Sequence, residues 1–123
     1  MGVDIYYRKD LNYVEIIYNG DIAHKDLIAA FETAFKTGIE NNTMVYLADC
    51  SHLTGGHTVF DLYNLLDLYE ENNVPHSLKE AIIIPDMDSL VEKVEFYEIA
   101  ASNRGYNIKL FRTKDEALLW LSK

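Results

Sequence analysis

The sequence predicts an α/β fold with the element order β-β-α-β-α-β-α-β-α, built on a mostly parallel five-stranded sheet with an N-terminal antiparallel hairpin. Three observations carry this. Two stretches rich in Tyr, Ile and Val open the chain, with a short polar gap between them. Further on, apolar residues at helical spacing alternate with short, continuous apolar runs. Ser/Thr-x-x-Asp/Glu patterns stand at the head of three of the helical stretches.

Each element has its own justification. Val3 to Arg8 and Tyr13 to Tyr18 flank Lys9-Asp10-Leu11-Asn12 and read as a hairpin with a four-residue loop. Asn19-Gly20-Asp21 closes the second strand. From about His24 to Gly38, the residues Leu27, Ala30, Phe31, Ala34 and Phe35 recur at helical spacing, and Gly38 is placed to cap the helix with a positive φ. Met44 to Ala48 is a short apolar run, hence a buried strand. Thr58-Val59-Phe60-Asp61 is a capping box that opens a helix to about Glu71. Ala81-Ile82-Ile83-Ile84 is continuous and β-branched, as a strand covered on both faces is, and Pro85 follows it. Ser89-Leu90-Val91-Glu92 is a second box, starting a helix to about Arg104 that Gly105 ends. Asn107 to Phe111 is the last strand, and Thr113-Lys114-Asp115-Glu116 opens a final helix with Leu118, Leu119, Trp120 and Leu121. Alternating strands and helices imply parallel pairing through right-handed crossovers. Periodicity alone leaves open whether the helices cover one face of the sheet or both.

Composition bounds the function. At 123 residues the chain has the length of one domain. Its mass scales to about 6,800 Å² of folded surface against about 20,600 Å² unfolded, which is enough burial for a core without disulfides or metals. The net charge of −9 repels a phosphate backbone and an anionic bilayer, so nucleic acid and membrane surfaces are disfavoured partners. The acid is concentrated: residues 61–98 carry a net −8, whereas residues 104–123 carry a net +3. Cys50 is the one cysteine, so no internal disulfide forms. The start, Met1-Gly2-Val3-Asp4-Ile5-Tyr6, runs straight into a strand pattern without a signal-peptide profile, and Tyr6 departs from a myristoylation motif. With no apolar run approaching the roughly 20 residues of a membrane span, a cytoplasmic protein is the expectation.

The order of elements, the N-terminal hairpin, the strand Val45-Tyr46-Leu47-Ala48-Asp49 and the ending Phe111-Arg112-Thr113-Lys114-Asp115-Glu116-Ala117-Leu118-Leu119-Trp120-Leu121 together resemble a SpoIIAA-like protein of the STAS group. The likeness is nearest to its small stand-alone bacterial members, whose fold is compared with Sec14-type lipid-binding domains. It covers nearly the whole chain, so one SpoIIAA-like domain over residues 1–123 is expected. It also implies helices mainly on one face of the sheet and a partly open second face. Strand alternation places Tyr6, Tyr13, Glu15, Tyr46 and Lys109 as candidates for that open face.

Asp49-Cys50-Ser51-His52-Leu53-Thr54-Gly55-Gly56-His57-Thr58 reads as a loop from the carboxyl end of a strand to a helix N-terminus, where open α/β sheets place ligands. In anti-sigma antagonists the matching loop holds a phosphorylatable serine within Asp-Ser-Ser-Gly. Here the nearest stretch is Leu53-Thr54-Gly55-Gly56, without the Asp-Ser pair, which leaves Ser51, Thr54 or Thr58 as substitutes. Ser and Thr at such places are commonly turn-formers and caps. Cys50, His52 and His57 are of metal-ligand type, but a four-ligand zinc site would also need Asp49 or Asp61. Cys50 beside either histidine would make a nucleophile and base with no third group to orient them. Asp86-x-Asp88 before a helix is a carboxylate pair of the kind that binds Mg²⁺ with a phosphate ligand, but the same residues complement the helix dipole, which is the favoured reading. No metal or cofactor is expected.

The helix from Thr58 to Glu71 is apolar nearly all round, with Val59, Leu62, Tyr63, Leu66 and Tyr69 in one stripe and Phe60, Leu65 and Leu68 outside it. A helix apolar on several sides is deeply covered or part of an interface. The sequence therefore points to a non-enzymatic binding or regulatory module acting through protein contact, as a homodimer, with Phe60, Tyr63, Leu65, Leu66 and Tyr97 at the interface. The alternative is a carrier of a small apolar or amphipathic, lipid-like ligand in a groove between helices and sheet lined by Tyr63, Leu66 and Tyr97. A third reading is an enzyme using the 50–58 stretch, which predicts a Cys50 thiol that titrates below the ordinary value.

Overall fold

The computed structural model describes residues 2–123; Met1, the first residue of the N-terminal stretch read above, lies outside them. Nine elements follow in chain order: β1 (Val3–Arg8), β2 (Tyr13–Asp21), α1 (His24–Glu40), β3 (Val45–Gly55), α2 (Val59–Glu71), β4 (Lys79–Ile83), α3 (Asp88–Asn103), β5 (Asn107–Phe111) and α4 (Lys114–Leu121). They form one five-stranded sheet in the order β1-β2-β3-β4-β5. β1 and β2 are antiparallel, and every other neighbouring pair is parallel. The hairpin loop closes with Asn12 at φ +54° and the Tyr7 hydroxyl donating to Asn12 Oδ1 at 2.6 Å.

The topology decides which face each helix covers. The parallel strands step in one direction along the sheet, so crossovers of one hand set α1, α2 and α3 on the same side. There Val14, Ile16, Ala48, Ile82 and Ile108 meet the buried stripes of the three helices in the main core. α4 follows the last strand and closes the opposite face, where Ala117 packs with Tyr13, Leu47, Ala81 and Ile83. Glu15 lies on this second face, 1% exposed, between Arg8 Nε at 2.7 Å and Lys114 Nζ at 3.0 Å. Tyr46 does not: the register Val14↔Tyr46 puts it among the residues of the α1–α3 core, and Leu47 takes the place beside Glu15.

The structure corrects four other expectations. β3 does not stop at Ala48 but runs to Gly55, because β2 continues to pair with it through Asn19↔His52, Gly20↔Leu53 and Asp21↔Gly55. β4 begins at Lys79, which brings Glu80 inside the sheet. Gly38 is not a cap but an interior residue of α1; a Cβ there would sit 2.7 Å from the Thr43 carbonyl and clash with the Tyr46 hydroxyl. The Ser89 box is not used: α3 starts at Asp88, with the N–H groups of Leu90 and Val91 donating to the Met87 carbonyl. The other two boxes form at least in part. Thr58 and Asp61 cap α2 reciprocally, and Thr113 Oγ1 accepts from the Glu116 N–H at the start of α4.

Candidate functional site

Between the sheet and its three-helix layer lies a cavity of about 70 Å³. Its floor comes from alternate residues of three central strands: Ile16 and Tyr18 of β2, Tyr46, Ala48 and Cys50 of β3, and Glu80 and Ile82 of β4. α1 contributes Leu27, Phe31, Ala34 and Phe35. Leu62, Leu65 and Tyr69 come from α2, and Val94 and Tyr97 from α3. Two of its lining residues, Ala34 and Ala48, carry the smallest side chains of the wall.

Three polar groups of this wall form one hydrogen-bonded chain, while Tyr18, Tyr46, Cys50 and His57 line the cavity outside it. Glu80 is 6% exposed, and the Tyr69 hydroxyl donates to its Oε1 at 2.9 Å. The Tyr97 hydroxyl donates in turn to the Tyr69 oxygen at 3.1 Å. Burial pushes the Glu80 carboxyl up to about 7, although the Tyr69 hydrogen bond pulls the other way. Burial also raises Tyr46 to about 12 and holds Tyr18, Tyr69 and Tyr97 well above the usual phenol range, with the Glu80 charge adding to each. The tyrosines thus act as neutral hydroxyls.

The stretch 49–58 is mostly strand rather than loop. Ile17 pairs with Asp49 and Asn19 with His52, so β3 holds one more residue than β2 in that interval. This bulge puts Leu53 in the same cavity wall as Cys50, three positions away. His57 joins them, its Nδ1 lying 3.2 Å from the carbonyl oxygens of Ile22 and Gly55. Gly56, at φ +91°, passes so close to Ile22 that a Cβ would stand 2.6 Å from its backbone nitrogen. The remaining residues do other work. Asp49 Oδ1 accepts from both the N–H and the hydroxyl of Ser51, whose oxygen lies 3.2 Å from His52 Nδ1. Thr54 donates to Asp21. At the head of α2, the Thr58 N–H is taken by Asp61 Oδ2 at 2.8 Å, and this bond holds the Asp61 carboxyl below its ordinary value. The place where a ligand was expected, this helix start, therefore already meets a carboxylate of the chain itself.

Cys50 is buried, and loss of water pushes its thiol far above the ordinary value, with Glu80 and Asp49 reinforcing the shift. That is the reverse of an activated nucleophile. Among the described residues, no group of three His, Cys, Asp or Glu side chains is arranged to hold a metal ion.

The residues expected at an interface divide into two sets. Leu65, Leu66 and Tyr97 are buried, with Leu66 fully enclosed. Phe60 is 71% exposed and Tyr63 43% exposed, on the outer side of α2. The Tyr63 ring lies 6.3 Å from that of Phe96 on α3 and under the Arg104 guanidinium at 4.6 Å. The buried stripe of α2 is thus Leu62, Leu65, Leu66 and Tyr69. Glu80 and Tyr69 were the site residues missed in the sequence. Their signal was there: Glu80 alternates with Ile82, and Tyr69 stands four residues after Leu65.

No protein-family model matches the chain, and no curated protein does. Among solved structures it is similar to an uncharacterized protein of the DUF3478 family with a SpoIIAA-like fold from Shewanella loihica PV-4. The two agree with a TM-score of 0.64 over 98% of this chain and 92% of that one, at 21% identity. At that identity the likeness is one of architecture, and the chain has a SpoIIAA-like fold, as the sequence resemblance implied.

Proposed function

We infer that this protein is a non-catalytic binding module that holds a small apolar molecule in the cavity beneath α1, α2 and α3. The observation that carries this reading is a cavity with mainly apolar walls and one hydrogen-bonded polar chain, Tyr97–Tyr69–Glu80, in its lining. Ligand sites have this make-up, an apolar enclosure with a few placed polar atoms. At about 70 Å³ it is well short of the roughly 300–1,000 Å³ of a drug-sized pocket, so the ligand is a few heavy atoms rather than a lipid.

The test is a panel of small apolar molecules titrated into methyl-labelled protein and followed by NMR. Shifts are expected at Leu27, Leu62, Leu65, Ile82 and Val94, which line the cavity, and not at Leu118 or Leu121 on the other side of the sheet. Absence of any shift at those cavity methyls up to millimolar ligand would sink this reading.

A second reading, protein contact with a homodimer as its simplest form, is favoured by the exposed Phe60, Tyr63 and Phe96. It ranks behind the first because the patch sits within the stretch of net −8, which opposes the pairing of two such faces. Native mass spectrometry of wild type and Phe60→Asp distinguishes the two. A dimer lost in the variant would support the second reading, and a monomer in both would remove the homodimer.

A further inference from the structure

We propose that the cavity selects a ligand whose apolar body carries a hydrogen-bond-donating cationic head, a short-chain amine, seated against Glu80. This deepens the binding reading above and rests on it.

The direction of the hydrogen bonds is the first argument. Tyr97 gives its proton to Tyr69, and Tyr69 gives its own to Glu80 Oε1. Each hydroxyl has a single proton, so both are already committed within the chain. What this network still offers a newcomer is lone pairs, on the Glu80 carboxylate and on the Tyr97 oxygen. Among the described residues, Tyr69 is the one hydrogen-bond donor to Glu80. A buried carboxylate with a single neutral donor is poorly compensated.

Charge is the second argument. No lysine or arginine is among the residues lining the cavity, so nothing of the protein's own neutralises Glu80 there. The two exposed-side cations that do pair with a buried carboxylate, Arg8 and Lys114, serve Glu15 on the opposite face of the sheet. An ammonium head would supply the missing charge and up to three donors. A carboxylate or phosphate head would set a second negative charge against Glu80 inside an apolar enclosure.

The walls are the third. Tyr18, Phe31, Tyr46, Tyr69 and Tyr97 line the cavity, and aromatic rings attract a desolvated cation. An apolar cavity of ~150 Å³ takes benzene with its six heavy atoms, so about 70 Å³ sets a ligand of about three heavy atoms.

Binding should follow the ionisation of Glu80, whose burial holds it at about 7. The titratable groups around it are Tyr18 of β2, Tyr46 and Cys50 of β3, Tyr69 of α2 and Tyr97 of α3, with His57 farther along the wall. α1 supplies none. Burial keeps those tyrosines and the thiol neutral below pH 9.

The experiment is a set of three NMR titrations at pH 8, with ethylammonium, ethanol and acetate, on wild type and on Glu80→Gln. The expected result is ethylammonium bound more tightly than ethanol, no binding of acetate, and a loss of about tenfold or more for ethylammonium in Glu80→Gln. The variant keeps the shape of the side chain, and its retained ethanol affinity would show that it is folded with an intact cavity. Lowering the pH to 5.5 should weaken ethylammonium in wild type alone. If ethanol binds but ethylammonium gains nothing from Glu80, the cationic selectivity is wrong while the binding reading stands. If acetate binds as well as ethylammonium, the selectivity is likewise wrong. If none of the three binds either protein, both fall together.

Discussion

The Cys50 thiol stands in the cavity wall behind three helices, and its chemistry is set by that position rather than by the histidines near it in sequence. Because burial raises its pKa, the thiolate that reacts with disulfide reagents is scarce in the native state. At pH 8, dithiobis-nitrobenzoate should label Cys50 only at the rate at which the chain opens, with no fast phase. A stoichiometric reaction within the mixing time would contradict the assigned burial. The sequence pointed to this segment because Cys, His and paired Gly residues cluster there. Which of them face inward depends on the two register shifts between β2 and β3, and periodicity does not reveal a bulge.

At the scale of elements, α4 is the case where electrostatics and packing meet. Its apolar residues close the second face of the sheet, and its Lys114 joins Arg8 on the buried Glu15. Both cations are nearly half exposed, whereas Glu15 is not, so the two sides of this cluster respond differently to mutation. Replacing Arg8 and Lys114 together with Ala should destabilise by on the order of 3 kcal/mol in urea unfolding, because it leaves a buried carboxylate alone. Glu15→Leu should be near neutral, since it removes the buried charge and leaves the cations in water. Equal losses in both variants would refute this account. The Glu15 carboxylate was legible as a residue of the second face from strand alternation. Its partners, seven residues before it and 99 after it, were not, because they depend on the hairpin register and on where α4 docks.

For the whole molecule, Glu80 adds a pH dependence of definite sign. Its carboxyl is raised from 4.5 to about 7 by burial, so the folded state binds the proton more tightly than the unfolded chain does. That contribution is complete below about pH 4.5 and is lost as the pH rises through about 7, by on the order of 3 kcal/mol. Asp61, held low by its cap, acts in the opposite sense as the pH falls. The clean readout is therefore a difference. Between pH 5 and 8 the unfolding free energy of wild type should fall relative to that of Glu80→Gln, and parallel curves would show that Glu80 is not buried as charge in the native state. No helix among the described residues is long and apolar enough to cross a membrane.

The sequence by itself determined the order of the nine elements, the antiparallel start, the parallel remainder and three of the helix starts, because these rest on local periodicity and, for α2 and α4, on caps within four residues. It also supported the SpoIIAA-like resemblance, which the solved structure bears out as a likeness of fold. Tertiary structure decided what lies between the layers. Tyr69, Glu80 and Tyr97 come from three elements, and only the packing of α2 and α3 on β4 joins their hydroxyls and carboxylate in one line. The same packing sent Leu65 and Leu66 inward and left Phe60 and Tyr63 outside. A helix apolar on several sides has no preferred face of its own, and its neighbours choose one for it.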